Sequence, residues 1–192
     1  MPTVVASFDA AAWYPITSGA ALATQLSATV VAGALADWKG PRPVLLAGLA
    51  LFAVGLVVCA FSSHVTVFVI GRALQGLGGG LLIVPLYVLV GAVASAHRRP
   101  SFFASFSLAW VLPSLVGPAI AGHVTEVWGW RYVFGVVPLF VAIAAVPIAY
   151  VLRSLPTAQG QRSPVLAALS RDAGLVGVGV MALQLAGALA SR

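Results

Sequence analysis

Uncharged, mainly apolar runs cover residues 12–36, 43–61, 73–96, 101–122 and 132–152, and a sixth covers 173–191. Roughly 20 such residues carry a helix across a bilayer, so each run predicts a membrane-spanning helix. The third span reaches back to about Thr66, which places Arg72 inside it. The segments between are short and polar: DWKGPR, SSHV, HRRP and HVTEVWGWR. A longer one from Arg153 to Asp172 carries Pro156, Gly160 and Ser163 and reads as a flexible linker. The pattern predicts an all-α, polytopic transmembrane helix bundle of about six spans.

Composition agrees. The chain has 192 residues, 61% of them hydrophobic and 7% charged, with a mean hydropathy of +1.06. A soluble domain is about half apolar and about a quarter charged, so lipid is the expected solvent. The net charge of +6 comes from scattered small groups rather than one run or face, which argues against nucleic acid. Cys59, the single cysteine, lies in an apolar run and has no internal disulfide partner. No Cys/His spacing suggests a metal, and nothing implies a cofactor. The opening MPTVVASFDAAAWY has no positive region of the kind a signal peptide carries.

Lys and Arg set the orientation. Lys39, Arg42, Arg98, Arg99, Arg153, Arg162 and Arg171 fall in alternate connecting segments, against Arg131 alone in the others. The basic segments are therefore expected on the cytoplasmic side. That puts the N-terminus outside with nothing upstream to carry it across, which predicts a preceding helix missing from this chain. The final run, GLVGVGVMALQLAGALASR, stops where a span would finish, so the chain reads as a piece of something larger.

Three clusters break the apolar pattern. In GALADWKGPRP, Gly33 and Asp37 lie about one turn apart near a helix end, with Lys39, Gly40 and Arg42 following. A carboxylate at a helix C-terminus opposes the macrodipole, so Asp37 needs a cation or another helix's N-terminus; a solvated turn is the plainer reading. In GRALQGLGGG, Arg72, Gln75, Gly76, Gly79 and Gly80 share one face. An arginine within a span faces a cavity or partner, or else snorkels, since Arg72 lies only about 9 Å of rise from Thr66. The glycines let another helix come close.

In AWVLPSLVGPAIAG, Pro113 and Pro118 bend the helix, and Trp110, Ser114, Gly117 and Ala121 share a face. Proline-bent helices in lipid belong inside bundles, where freed carbonyls find partners. Such a helix is either a tightly packed kinked one or a bend that controls leak. Glu126 and Arg131 are placed to pair across the extracellular turn, and Trp13, Tyr14, Trp128, Trp130 and Tyr132 read as interface anchors. His64, His97 and His123 fall in expected loops, far apart in sequence. No P-loop, no glycine motif after a strand, and no carboxylate pair or Ser/His arrangement occurs, so enzymatic chemistry has no residues to carry it.

In this order and on these helices, the three clusters resemble the major facilitator superfamily, in its drug:proton antiporter branches. GALADWKGPR is similar to the family's signature turn between its second and third helices, matching at Gly33, Leu35, Ala36, Asp37, Gly40 and Arg42. Trp38 and Pro41 stand where that turn has basic residues. GRALQGLGGG resembles the fourth-helix motif, and Gly117, Pro118 and Gly122 match the Gly-Pro-x-x-x-Gly end of the fifth-helix antiporter motif. GWRYVF is also typical of these exporters just before the sixth helix.

The resemblance implies a fold of two six-helix bundles around a midplane site. Residues 1–152 would be a partial N-terminal bundle holding family helices two to six, with PTVV the tail of the first. Residues 153–172 would be a cytoplasmic linker, and 173–192 the start of the next helix. It implies a cytoplasmic gate at Gly33, Asp37, Lys39, Gly40 and Arg42, and a cavity and proton-transfer motif at Arg72, Gln75 and Gly76. Trp110, Pro113, Gly117, Pro118 and Gly122 would form the antiporter helix. The implied function is proton-coupled efflux of small molecules across the cell membrane, with lipid, substrate, protons and the missing helices as partners. No acidic residue falls mid-span, so a coupling carboxylate is expected elsewhere. The alternatives are a non-transporting membrane subunit or a gene remnant.

Overall fold

A computed structural model describes residues 2–153 and, beyond them, Gly179, Val180, Ala182 and Ala186. The expected linker past Arg153 and the expected span 173–191, those four positions aside, lie outside the described residues. The described chain is all helical: α1 (Pro2–Ser7), a 3-10 turn (Ala11–Trp13), α2 (Tyr14–Lys39), α3 (Pro41–Ala60), α4 (Val65–Val93), α5 (Arg99–Trp128) and α6 (Trp130–Arg153). Five of these, α2 to α6, are long and apolar enough to cross a membrane. They coincide with the first five uncharged runs of the sequence.

Two single glycines make the sharpest reversals. Gly40 separates α2 from α3 at φ 81°, and Gly129 separates α5 from α6 at φ 93°. Such backbone angles cost a side-chain-bearing residue free energy and cost glycine little. Pro41 opens α3, where the N–H that proline lacks would have been an orphan donor in any case. The nine-residue loop expected at 123–131 shrinks to Gly129 alone, because α5 runs on through His123 and Glu126 to Trp128.

The centre of the molecule is α4, which packs along both α2 and α3. Glycines make that possible on two sides of the helix. A Cβ on Gly76 would collide with Thr24 Oγ1 and the Ala21 carbonyl of α2, and one on Gly80 would lie 2.6 Å from Ala28 Cβ. On the other side, a Cβ on Gly71 would lie 2.7 Å from Cys59 Sγ, and one on Gly78 would strike the Phe52 backbone of α3. Where lipid is the solvent, association rests on such close backbone contact rather than on burial of apolar surface from water.

At the end opposite the basic turns, α1 and α6 join this unit. Val4, Leu56, Cys59, Phe68, Trp130 and Phe134 form a buried apolar cluster. Phe68 meets Trp130 and Phe134 edge-on, at ring-centre distances of 5.7 and 5.3 Å. Arg131 turns back over this end, donating from Nη2 to the Ser62 carbonyl at 3.1 Å and lying 4.6 Å from the Trp130 ring. The expected Glu126–Arg131 pair is therefore not formed among the described residues; the turn at Gly129 sends the guanidinium towards α3.

At the basic end, Arg99 does more than bias the topology. Its guanidinium donates to the carbonyls of Gly91 (2.8 Å) and Ala94 (3.3 Å), closing off the C-terminus of α4. A cation there satisfies orphan carbonyls and suits the macrodipole. Helix α5 departs from expectation. It was expected deep in a bundle, yet none of its residues is buried among the described chain. It touches α6 along an apolar groove of about 570 Å³, and α4 only slightly.

Candidate functional site

One face of α4 carries Arg72, Gln75 and Gly79, spaced at three and four residues so that they stack along the helix. The glycine contacts hold this face in register. With Gly76 and Gly80 pressed on α2 and Gly71 and Gly78 on α3, the helix cannot rotate without a backbone collision. The face expected from spacing is thus divided: Gly76 and Gly80 serve the contact with α2, Gly79 borders a cavity, and Arg72 and Gln75 are half-buried beside α2.

Arg72 does not snorkel. Its Nη1 donates to Oε1 of Gln75, and its Nε approaches the Thr17 carbonyl of α2 at 3.4 Å. Thr17 is fully buried, and its own hydroxyl donates to the Tyr14 carbonyl at 2.9 Å. A helix carbonyl that accepts from outside its own ladder is unusual, and here it turns a guanidinium towards the bundle interior. Next to Thr17, the Ser18 hydroxyl is the only buried side-chain polar atom without a hydrogen-bond partner among the described residues.

About two turns from Arg72 along the same face lies a cavity of about 380 Å³ beside Gly79. Gln25 of α2, Phe52 of α3, Tyr87 of α4 and Phe106 and Trp110 of α5 line it. Sequence reasoning missed Thr17, Gln25 and Tyr87. Gln25 did carry a signal, as a lone amide in an otherwise apolar stretch. Thr17 enters through its backbone, which side-chain chemistry does not reveal.

The turn residues fall at the basic end of the bundle. Asp37 and Lys39 are exposed in the last turn of α2, and Gly33 packs 3.6 Å, measured from an added Cβ, from a Val84 methyl group of α4. Lys39 Nζ sits 4.9 Å from the Trp38 ring. No ion pair joins Asp37 to Lys39 or Arg42 among the described residues, so the partner that a C-terminal carboxylate calls for is not supplied here.

The antiporter-motif residues separate. Trp110 borders the cavity beside Gly79, while Pro113 and Gly117 line the α5–α6 groove. Gly117 and Gly122 have nothing within 4 Å of an added Cβ. Among the described residues, no group of three His, Cys, Asp or Glu side chains is placed to hold a metal ion.

Five helices long and apolar enough to cross a bilayer, with a guanidinium held between two of them, mark a multi-pass membrane protein. The family model of the Major Facilitator Superfamily matches residues 2–191, and the chain belongs to that family. Several relatives carry transport names. Efflux pump dotC of Dothistroma septosporum is 32% identical over 134 residues, covering 70% of this chain and 23% of that protein. Multidrug transporter protein MdtP of Bacillus subtilis is 30% identical over 165 residues, covering 86% of this chain and 30% of its own length. A probable multidrug-efflux transporter of Mycobacterium tuberculosis is 29% identical over 165 residues, with 86% and 35% covered. The chain thus spans about a quarter to a third of these relatives. Members of this family are transporters rather than enzymes, in keeping with the names these relatives carry.

Proposed function

We propose that the chain forms part of the first bundle of a secondary active transporter of the cell membrane, which exports small molecules in exchange for protons by alternating access. The observation that carries this reading is the Arg72–Gln75–Thr17 network. A charged group is costly inside a membrane and is characteristically kept there for function. This one is held by Gln75 and the Thr17 carbonyl, on a helix that four glycine contacts fix in place, about two turns from Gly79 and its cavity. Relatives named as multidrug and efflux transporters support the direction and the type of cargo.

In this reading Arg72 and Gln75 relay protons or organise the site, with Gly76 fixing their helix against α2. Gly33, Asp37, Lys39, Gly40 and Arg42 form the cytoplasmic gate. The unpaired Asp37 accepts its partner from a helix of the other bundle in one state and releases it in the other. Trp110, Pro113, Gly117, Pro118 and Gly122 give α5 its shape. The α5–α6 groove receives a further helix of the same bundle, as α4 lies between α2 and α3. Residues 1–152 are the partial bundle, 153–172 the cytoplasmic linker, and 173–192 the start of the next span. The protein at its native length, in energised membrane vesicles, should export a lipophilic dye, and a protonophore should stop it. Absence of efflux would leave a non-transporting membrane subunit as the reading.

A further inference from the structure

We propose that the cleft between α3 and α6, at the end of the molecule opposite the basic turns, holds an anionic phospholipid with its phosphodiester on Arg131. The cleft has a volume of about 550 Å³. Its mouth is polar: Arg131 lines it beside Ser62 and Ser63 of the turn after α3. Its wall is apolar: Gly135 and Val136, about one helical turn further into the membrane than Arg131, lie beside Ala60. An added Cβ on Gly135 would still be 3.8 Å from the Ala60 methyl carbon, so the glycine leaves room there. Phe61 and Tyr132, 82% and 57% exposed, flank the cleft at the depth where amphipathic rings meet lipid head groups. A guanidinium and hydroxyls above an apolar wall follow the order of a phospholipid, head and then chain. The α5–α6 groove, by contrast, is lined almost wholly by apolar residues, which suits a helix.

Arg131 is arranged for a phosphate. Its guanidinium is held at two points, by the bond from Nη2 to the Ser62 carbonyl and by the Trp130 ring 4.6 Å away. The Ser62 hydroxyl donates to the Cys59 carbonyl at 2.8 Å, which fixes the turn in place. Nε and Nη1 make no hydrogen bond among the described residues. A guanidinium restrained in this way loses little further freedom on binding, and its forked donors match phosphate oxygens. Glu126, exposed in the last turn of α5, forms no ion pair with it among the described residues. Asp9 and His64 line a neighbouring cleft that shares only Ser63 as a wall. The fixed positive charge selects a head group of net negative charge. Phosphatidylcholine carries an ammonium beside its phosphate, which the arginine repels; phosphatidylglycerol carries none. The inference goes beyond the transport reading and asks only that α3 and α6 cross a membrane.

The test uses the native-length protein in phosphatidylcholine nanodiscs. They carry a trace of phosphatidylglycerol with a photoactivatable diazirine near the glycerol end of one acyl chain, or the same amount of phosphatidylcholine so modified. After irradiation, lipid attached to residues 60–63 and 131–136 is counted by peptide mass spectrometry. Phosphatidylglycerol should label these segments at least fivefold more than phosphatidylcholine does. Arg131→Gln should abolish that preference. Gly135→Leu leaves Arg131 in place and fills the cleft, and should lower the preference at least threefold, so the result does not depend on the folding of one variant. Arg98→Gln removes the same charge from an exposed position at the basic end and should change nothing. Millimolar inorganic phosphate should leave the labelling as it is. Equal labelling by the two lipids, an Arg131→Gln protein that keeps the preference, or displacement by inorganic phosphate, which marks a site for a free anion, overturns the proposal. Success or failure of dye efflux bears on the transport reading alone.

Discussion

Arg72 and Gln75 lie one turn apart on α4, joined by a hydrogen bond from Nη1 to Oε1, while the Arg72 Nε reaches the Thr17 carbonyl of α2. The same pair of groups ties the charge to its own helix and to a neighbour. Lysine can supply the charge there but not the fork of donors, so Arg and Lys are not equivalent at this position. Gln75→Ala leaves one guanidinium donor unpaired and should destabilise the solubilised chain by about 1.5–3 kcal/mol. Chemical denaturation followed by circular dichroism, comparing Gln75→Ala with Gln75→Glu, checks this.

The glycines of α4 and α5 predict opposite behaviour. Gly76→Leu forces a side chain into Thr24 and Ala21, and overpacking of this kind costs roughly 1–3 kcal/mol or more. Gly117→Ala meets no atom within 4 Å, so the described bundle should tolerate it to within about 0.5 kcal/mol. If a further helix seats in the α5–α6 groove, the same Gly117→Ala lowers efflux by the native-length protein. Thermal melts of the chain and efflux assays of the whole transporter read the two effects separately.

Asp37→Asn removes a carboxylate from the C-terminal turn of α2, where it opposes the macrodipole without an ion-pair partner. Stability of the chain should rise by about 0.3–1 kcal/mol while efflux falls, the opposite signs marking a residue kept for function. Loss of stability in melts of Asp37→Asn would show that its partner lies within this chain.

Ser18→Ala deletes a buried hydroxyl that makes no hydrogen bond among the described residues. The substitution should be neutral or stabilising by up to about 1 kcal/mol, since a buried unsatisfied group carries its desolvation cost uncompensated. A drop in the melting temperature would reveal a partner for Ser18 outside the described residues.

Much of this was legible from the chain. The five described spans follow from runs of apolar residues long enough for a bilayer, and Arg72 stood out because charge within such a run is costly. Helix ends were read less well. VTEVW looked like loop, but its polar residues sit comfortably on α5, and a single positive-φ glycine, Gly129, is all the reversal needs. Spacing placed Gly76, Gly79 and Gly80 on one face without saying which neighbour each meets. Division between α2, α3 and the cavity depends on three helix axes at once. Arg99 read as topological charge because its role as a cap requires knowing where the last carbonyls of α4 point. The exposure of α5 was unreadable for a related reason: apolar residues look alike whether they face lipid, a cavity or another helix.

The most direct test of the transport claim is dye efflux by energised vesicles containing the native-length protein, wild type against Arg72→Lys at equal membrane abundance. The wild type should export dye and stop when a protonophore collapses the gradient, and Arg72→Lys should fall at least tenfold. Efflux that ignores the protonophore, or an Arg72→Lys protein as active as the wild type, would contradict a proton-coupled exporter built around this arginine.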